Sequence, residues 1–225
     1  MTLPRYIAVE GPIGVGKTSL TRRLAASLGA TALYEGADEN PFLPQYYADP
    51  ARYALATQLH FLCQRTRQLQ PHAQGDFFQP LLVADFMFDK DRLFARIALD
   101  EDEYALYDEI FRRFAPQVPT PELVIYLAAP LPALRARIAR RARPYEQAIA
   151  DAYLERLCVE YDTFFHAYRA APVLLVDTTR VNFVDDDTQY ARLVEALRVR
   201  FEGMRAFPAD PERRAPPLDA TAGAA

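Results

Sequence analysis

A glycine-rich segment near the start of the chain has the residue types and the spacing that bind phosphate. Residues 11–18 read GPIGVGKT and match the pattern G-x-x-x-x-G-K-[ST]. Glycines let the backbone curl so that successive N–H groups point inward at an anion. The ammonium group of Lys17 would contact the β- and γ-phosphates of a nucleoside triphosphate, and the hydroxyl of Thr18 would reach Mg²⁺. We therefore expect ATP to contact Gly11, Gly14, Val15, Gly16, Lys17, Thr18 and Ser19.

A phosphate-binding loop predicts a nucleotide ligand but does not identify the reaction. The sequence has no NKxD motif, with which GTPases read guanine. A motor or transporter ATPase would ordinarily be longer and would show an apolar strand that ends in paired acids. The short length of 225 residues and an arginine-rich segment at 135–146 favour a small kinase, an enzyme that transfers the γ-phosphoryl group of ATP.

The composition limits the partners that the chain is expected to bind. A formal net charge of −4 and a pI near 5.5 give no concentrated basic surface, so we expect neither nucleic-acid polymer nor membrane as a partner. The sequence shows no secretory leader and no apolar run long enough to span a bilayer. Cys63 and Cys158 lack the spacing of a metal or redox motif and are expected to be reduced. These features predict a cytoplasmic enzyme with a small-molecule substrate.

Around the loop, the hydrophobic pattern alternates between short β-favouring runs and helical periods. Strands are predicted at 6–9, 31–34, 81–84, 123–127 and 173–176, and helices at 50–69, 101–114, 146–168 and 187–201. Such alternation is typical of a parallel sheet covered on both faces. We expect an α/β P-loop kinase fold of three layers, with a five-stranded parallel sheet, in one domain over residues 1–203. Residues 204–225 are predicted to form a disordered tail, because proline, alanine and charge dominate there.

Six further stretches occur in the order typical of one enzyme family. They are Tyr34-Glu35, Glu39-Asn-Pro-Phe42, residues 47–58, Val83-Ala-Asp85 with Lys90-Asp-Arg92, residues 137–146 and Val176-Asp177. With these stretches the chain resembles the deoxyribonucleoside kinase family, especially its bacterial deoxyadenosine/deoxyguanosine kinase type. The resemblance implies that a homodimer transfers phosphoryl groups from Mg²⁺-bound ATP to the 5′-hydroxyl of a deoxyribonucleoside, in nucleotide salvage.

Glu35 ends the second predicted strand, where a carboxylate would face the cleft beyond the carboxyl edge of the sheet. The resemblance implies that this acid accepts the proton of the 5′-hydroxyl. A carboxylate beside the γ-phosphate suits that role, because the hydroxyl must lose its proton as the phosphoryl group arrives. By the same resemblance, Tyr47 and Glu146 match the positions that bind the sugar 3′-hydroxyl.

One face of the predicted helix at 50–69 carries an amide, an aromatic ring and a guanidinium, on Gln58, Phe61 and Arg65. The resemblance implies that these positions bind the nucleobase. Arg65 and Asp91 match the arginine–aspartate pair of relatives that favour purines or cytosine. We therefore expect deoxyadenosine or deoxyguanosine as the acceptor, with deoxycytidine as a further candidate.

Asp85 ends the apolar run 81–84, where an acid can organise the hydration shell of Mg²⁺. Many relatives carry arginine directly after this acid, whereas this chain carries Phe86. Lys90 is one of only two lysines among 26 basic residues, and a lysine retained in an arginine-rich chain indicates a need for its compact ammonium. We expect Lys90 or Arg92 to supply the missing positive charge in the catalytic site, and the sequence leaves that choice open.

The segment 135–146 alternates arginines with small residues, which argues against a buried helix face and for guanidinium groups that meet anions. As a lid over ATP, these arginines would neutralise the charge on the transferred phosphoryl group. The family pattern implies that Arg137, Arg141 and Arg143 face phosphate. It also implies that Arg180, in the loop after the last predicted strand, borders the adenine of ATP.

Two other functions are compatible with the phosphate loop. A nucleoside monophosphate kinase, such as a thymidylate kinase, shares the fold but needs basic residues for the phosphate of its acceptor. The presence of Phe86 where an arginine could stand argues against this function. A regulatory nucleotide-binding protein would use the loop only to switch conformation. Phosphorylation of a nucleoside, of a monophosphate or of neither distinguishes the three functions.

Overall fold

A six-stranded parallel sheet forms the centre of the molecule in a computed structural model that describes residues 3–73, 80–143, 146–147 and 149–207. The strands follow the order β2-β3-β1-β4-β5-β6, and each neighbouring pair is parallel. They are β1 (Tyr6–Glu10), β2 (Thr31–Leu33), β3 (Leu82–Ala84), β4 (Leu123–Ala128), β5 (Val173–Asp177) and β6 (Met204–Ala206). The helices are α1 (Lys17–Leu28), α2 (Leu43–Ala48), α3 (Pro50–Leu69), α4 (Lys90–Ala98), α5 (Glu101–Phe114), α6 (Leu131–Arg141), α7 (Asp151–Ala167) and α8 (Asp187–Ala196).

The α/β class and the parallel sheet are confirmed, but the number of strands is not. The first five strands lie where the sequence predicts them, and β6 is additional. It pairs with β5, where the backbone N–H of Phe207 donates to the carbonyl oxygen of Leu175 at 2.7 Å. A strand of three residues is too short to show a period of two, so the sequence assigned 204–206 to the tail. Residues 208–225 lie outside the described part of the chain, and their disorder stays a prediction.

Helices cover both faces of the sheet, which gives the predicted three layers. Every residue of β1 is buried, as expected for a central strand of a parallel sheet. On one face Ala8 packs in a core with Leu62 of α3 and Tyr161 of α7. On the other face Ile7 packs in a core with Leu20 of α1. The alternation of side chains along β1 therefore divides its residues between two cores.

Helix α6 corrects the prediction that the arginine-rich segment has no buried helix face. Leu134 and Ile138 are four residues apart and both are buried in the cores of the domain. The arginines of α6 share the remaining faces of this helix. Helix α7 begins at Asp151, five residues later than predicted.

The topology brings four chain segments to the carboxyl edge of the sheet. Glu10 ends β1 and precedes the glycine-rich loop, Glu35 follows β2, and Asp85 follows β3. Since parallel strands all point the same way, these residues meet near the loop after β5. Across the described residues, no helix is both long and apolar enough to cross a membrane.

Candidate active site

A cleft of about 1000 Å³ opens at the carboxyl edge of the sheet, bounded by the glycine-rich loop, α3, α6 and the loop after β5. Open α/β sheets bind their ligands at this edge. Of the site residues assigned from the sequence, all line the cleft except three. The exceptions are Gly11, Asp91 and Arg180.

The glycine-rich loop turns tightly between β1 and α1 because its three glycines adopt backbone angles that favour glycine. Gly11 has a φ of 143°, and a Cβ atom there would lie 2.2 Å from the carbonyl oxygen of Leu127. Gly14 has a φ of 83°, and its Cβ atom would lie 2.9 Å from a side-chain carbon of Ile138. Any other residue would therefore push the loop away from its neighbours. Gly11 shapes the loop in this way and does not itself line the cleft.

Lys17 is held across the glycine-rich loop by backbone carbonyl groups. Its Nζ donates to the carbonyl oxygens of Gly11 at 2.7 Å and Pro12 at 3.3 Å. Burial, and next the positive charge of Lys90, lower the pKa of Lys17 below its usual value. Lys17 is thus a poorly hydrated cation that an anion in the loop would stabilise.

Asp85 connects the phosphate-binding loop to the end of β2. One carboxylate oxygen accepts a hydrogen bond from the hydroxyl of Thr18 at 2.6 Å, and the other accepts one from the backbone N–H of Glu35 at 2.7 Å. A carboxylate and a hydroxyl are oxygen ligands of the kind that Mg²⁺ uses, together with water and substrate phosphates. The part of the chain that the structure describes contains no cluster of three metal-binding side chains. The donors present fit a Mg²⁺ ion that shares its coordination with phosphate.

Glu35 lies in the centre of a cluster of alternating charges. Its Oε1 atom is 2.8 Å from Nζ of Lys90 and also contacts the guanidinium of Arg65. Burial by itself raises the pKa of Glu35, but the positive charges of Lys90, Arg65 and Lys17 outweigh burial and hold the pKa well below its usual range. Glu35 is therefore ionised at neutral pH, and its side chain remains 21% exposed to the cleft.

Helix α3 presents Gln58, Phe61 and Arg65 to the cleft, as the sequence predicts. The guanidinium of Arg65 lies 4.9 Å from the ring centre of Phe61 and is paired with Asp91. Asp91 is completely buried behind Arg65, so it orients Arg65 and does not face the cleft, in contrast to the predicted ligand contact. The Oε1 atom of Gln58 is buried and has no hydrogen-bond partner among the described residues.

The structure separates Lys90 from Arg92, the two candidates for the missing positive charge. Lys90 begins α4, is 2% exposed and reaches Glu35. Arg92 turns to the other side of α4, where it pairs with Asp108 of α5 at 2.6 Å, outside the cleft. Phe86 is completely buried in the core. Of these two candidates, Lys90 is therefore the one that lies beside Glu35.

Helix α6 and the residues after it bring four arginines to the cleft, namely Arg140 and the three that the sequence assigns to phosphate. Arg137 donates to the hydroxyl oxygen of Thr178 at 2.7 Å and to the carbonyl oxygen of Val15 at 3.2 Å. Arg141 and Arg143 each lie 3.5 Å from Oε1 of Glu146. Arg137 is thus hydrogen-bonded to two sides of the cleft, whereas Arg141 and Arg143 share one carboxylate.

Glu146 and Tyr47 line the cleft on the side of α2 and α3. Glu146 is 4% exposed, and its Oε2 atom has no hydrogen-bond partner among the described residues. Arg143 also pairs with Asp38 at 2.9 Å, which joins the segment after α6 to the segment after β2. The two carboxylates therefore hold Arg143 from opposite sides.

Arg180 is not where the sequence predicts it. It pairs with Asp177 at 3.2 Å and lies outside the cleft, while Thr178, Thr179 and Phe183 of the same loop line it. The direction of each side chain depends on how the loop turns after β5, which a residue pattern does not specify.

Sequence reasoning missed Glu10. This glutamate is completely buried at the end of β1, 3.4 Å from Nζ of Lys90. The sequence does contain a signal that could have identified Glu10, because it is a charged residue at the end of an otherwise apolar strand, directly before the glycine-rich loop. Asp38 and Tyr153 also line the cleft without having been predicted.

Comparison with known proteins gives a consistent result for the family. The profile of the deoxynucleoside kinase family matches residues 7–201. A deoxyguanosine kinase of Bacillus subtilis is 32% identical over 206 residues, which cover 88% of this chain and 98% of the relative. A deoxyadenosine kinase of Lactobacillus acidophilus is 32% identical over 194 residues, which cover 80% of this chain and 88% of the relative.

A solved structure is similar over most of both chains. The deoxyadenosine kinase from M. mycoides with bound dATP superimposes with a TM-score of 0.75 at 25% sequence identity. The match covers 87% of this chain and 100% of that chain. The fold and the order of motifs in this chain are thus shared with proteins of one enzymatic family.

Proposed function

The chain belongs to the deoxynucleoside kinase family and is a deoxynucleoside kinase, and on that premise we propose that it phosphorylates the 5′-hydroxyl of purine deoxyribonucleosides. The observation that carries this proposal is the place of Glu35, an ionised carboxylate between the phosphate-binding loop and the base-sized surface of α3. ATP is the phosphoryl donor, bound by residues 11–19.

Glu35 acts as the general base. It accepts the proton of the 5′-hydroxyl as that oxygen bonds to the γ-phosphorus, and the bond from this phosphorus to ADP breaks. The low pKa of Glu35 keeps the carboxylate ionised and able to orient the hydroxyl. Lys90, 2.8 Å from Glu35, is placed to stabilise negative charge on the acceptor side of the transferred group.

Lys17 and the arginines of the cleft neutralise the negative charge on the phosphates of ATP, the phosphoryl donor. Lys17 contacts the β- and γ-phosphates, and Arg137, Arg141 and Arg143 close over the phosphoryl group as a lid. Thr18 and Asp85 would hold Mg²⁺, which would neutralise charge on the phosphates. Arg141 and Arg143 each lie 3.5 Å from Oε1 of Glu146, and Arg143 also pairs with Asp38 at 2.9 Å, so closure over the phosphates requires them to exchange these carboxylates for phosphate.

The purine preference rests on the pair of Arg65 and Asp91. Asp91 fixes the guanidinium of Arg65 beside Phe61, and the amide of Gln58 has an unpaired oxygen near it. Together these groups offer donors, an acceptor and a ring face to a base. The sugar 3′-hydroxyl is bound by Glu146 and Tyr47, and the free Oε2 atom of Glu146 supports this assignment.

A substrate panel with γ-labelled ATP tests the proposal. Deoxyadenosine, deoxyguanosine, deoxycytidine, thymidine and thymidine monophosphate are offered separately with Mg²⁺. We expect labelled 5′-monophosphates from the two purine deoxynucleosides. Transfer to the monophosphate alone would establish a nucleoside monophosphate kinase, and ATP binding without any transfer would establish a regulator.

We further propose that the kinase acts as a homodimer in the cytoplasm, in salvage of deoxynucleosides. The resemblance of the chain to its family supports the assembly. Light scattering of the purified protein during gel filtration tests it, and a mass of one 25.5 kDa chain would contradict it.

A further inference from the structure

Glu10 is a completely buried carboxylate to which the proposed reaction assigns no role. It ends β1 and does not line the cleft. A buried carboxylate loses its hydration, so it persists only where other donors replace water. The contacts of Glu10 therefore indicate what it holds in place.

Two backbone N–H groups donate to Glu10 from opposite sides of the site. The N–H of Gly11, the first residue of the phosphate-binding loop, donates to Oε2 at 3.1 Å. The N–H of Met87, two residues after Asp85, donates to Oε1 at 2.8 Å. The hydroxyl of Tyr161, from α7, donates to Oε2 at 3.1 Å. One carboxylate thus connects the loop that binds phosphate to the segment that follows Asp85.

The fourth group on Glu10 is the ammonium of Lys90. Its Nζ lies 3.4 Å from Oε1 of Glu10 and 2.8 Å from Oε1 of Glu35, so it bridges a buried carboxylate and the carboxylate in the cleft. Lysine has a flexible stem of four carbons and does not by itself adopt one position. The negative charge of Glu10 fixes the inner side of the ammonium while Glu35 takes the outer side.

We propose that Glu10 is a positioning residue for phosphoryl transfer, which acts by holding Lys90 against Glu35 and by fixing the start of the phosphate-binding loop relative to the segment after Asp85. Glu10 touches neither substrate nor phosphate. This inference rests on the proposed function for its effect on turnover, but the link between Glu10 and Lys90 is a property of the unliganded protein.

A spectroscopic experiment tests that link without any substrate. Lys17 and Lys90 are the only lysines of the sequence, so protein labelled with ¹³C at the ε carbon of lysine gives two side-chain signals. The variant Lys90→Arg identifies the signal of Lys90. In Glu10→Gln we expect that signal to shift toward the position of free lysine and to narrow, because the ammonium has lost its inner partner.

The control is Tyr126→Phe. Tyr126 is buried, its hydroxyl donates to Asp162 of α7 at 2.5 Å, and its ring lies 6.1 Å from that of Tyr161. Tyr126 of β4 is the register neighbour of Glu10 of β1, and the change removes only its hydroxyl, which donates to Asp162 and not to Glu10. Its Lys90 signal should match that of the wild type. An unchanged Lys90 signal in folded Glu10→Gln would overturn the proposal.

Kinetics then test whether the link matters for transfer. We expect kcat of Glu10→Gln to fall by about 10-fold or more, since small displacements of a catalytic group can cost up to about 100-fold. Adding Glu10→Gln to Lys90→Met should cost much less than Glu10→Gln costs in the wild type, because the contact with Lys90 is already lost and only the contacts with the loop and with Met87 remain to be removed. Losses that multiply would show that Glu10 does not act through Lys90.

A second variant covers the case in which Glu10→Gln does not fold, and the substrate-free measurement separates this inference from the proposed function. If Glu10→Gln does not fold, as judged by circular dichroism, Glu10→Asp keeps the charge but withdraws it by one methylene and should shift the Lys90 signal in the same direction. No shift in folded Glu10→Asp would also overturn the proposal. If the wild-type protein phosphorylates no nucleoside while the Lys90 signal responds as expected, the proposed function fails and the link stands.

Discussion

Two charged regions face each other across the cleft, and they are built differently. The acceptor wall, defined as Glu35, Arg65, Lys90 and Asp91, has side chains that are 21%, 3%, 2% and 0% exposed. The lid segment, defined as Arg141, Arg143, Glu146 and Asp38, has arginines that are 40% and 30% exposed, an Asp38 that is 60% exposed and a buried Glu146. In the wall, Lys90 lies 2.8 Å from Glu35; in the lid, both arginines lie 3.5 Å from Glu146 and Arg143 lies 2.9 Å from Asp38, so the two regions differ mainly in exposure.

The difference indicates when each set of charges is organised. Buried ions must be paired before a substrate arrives, because an unpaired buried charge is very costly. The acceptor wall is therefore already paired in the absence of ligand. Exposed ion pairs contribute little to stability and can exchange partners at low cost. Arg143 can therefore leave the exposed Asp38 for phosphate at low cost, whereas the buried Glu146 needs the sugar hydroxyl of the proposed substrate in place of arginines that leave it.

The largest effect that distinguishes the regions should be on the stability of the wall. Asp91→Ala removes the buried partner of Arg65, and we expect the free energy of unfolding to fall by about 3 kcal/mol. This is the low end for breaking a buried pair, because Glu35 still contacts Arg65. Urea denaturation measures the change. A loss below about 1 kcal/mol, the size for exposed pairs, would erase the contrast between wall and lid.

Turnover should respond most to Glu35, the member of the wall that accepts the proton. Glu35→Gln keeps the shape but cannot accept a proton, so kcat should fall by about 100-fold or more. The dissociation constant of ATP, measured by calorimetry, should change little because the phosphate-binding loop is intact. An unchanged kcat would transfer the role of base to Asp85, the next carboxylate in the cleft.

The phosphate-binding loop and much of the acceptor wall could be predicted because their signals are local. The loop is one continuous motif, and the spacing of Gln58, Phe61 and Arg65 places them on one helix face whatever the helix packs against. Glu35 ends a strand, and strand ends in this fold meet at one edge of the sheet.

What could not be predicted depends on how elements pack. Lys90 and Arg92 both lie in the first turn of α4, on nearly opposite faces, and only the orientation of α4 decides which one meets Glu35. The same orientation places Asp91 behind Arg65. Glu10 has no partner near it in sequence other than Gly11, so its contacts with Lys90 and Tyr161 exist only in the folded chain.

The preference for one nucleobase over another should depend on the acceptor wall and not on the lid segment. Arg65→Met should lower kcat/KM for deoxyadenosine and deoxyguanosine by about 10- to 100-fold and spare thymidine, since charge-assisted hydrogen bonds are worth about 1.5 to 3 kcal/mol. Adding Asp91→Ala should cost less than its effect in the wild type, because the pair is already broken. Equal loss for all nucleosides would remove the base-reading role of Arg65.

The pH dependence of kcat tests whether the wall sets the charge of Glu35. Lys90 is the largest of the positive influences on the pKa of Glu35, and burial, which raises this pKa, remains when Lys90 is removed. In Lys90→Met the pKa of Glu35 should therefore rise, by about 1 unit or more. The base works when ionised, so kcat should fall at a higher pH than in the wild type as the solution is acidified. Lys90→Arg keeps the charge and is the control, and identical profiles for Lys90→Met and the wild type would contradict the prediction.

The smallest effect is expected where an aspartate of the lid segment is changed. Asp38→Asn breaks the pair with Arg143, which joins an exposed and a half-buried side chain at 2.9 Å. Such pairs contribute about 0.2 to 1 kcal/mol, so the free energy of unfolding should fall by no more than that. Arg143 keeps Glu146 as a partner and becomes easier to withdraw toward phosphate, so the KM for ATP should stay equal or decrease. The matched change Asp91→Asn leaves an amide against a buried guanidinium and should cost at least twice as much in stability in the same urea titration. If the two asparagine variants lose equal stability, the lid pair of Asp38 with Arg143 is as firmly held as the wall pair of Asp91 with Arg65. Arg143 would then not be free to exchange Asp38 for the phosphates of ATP.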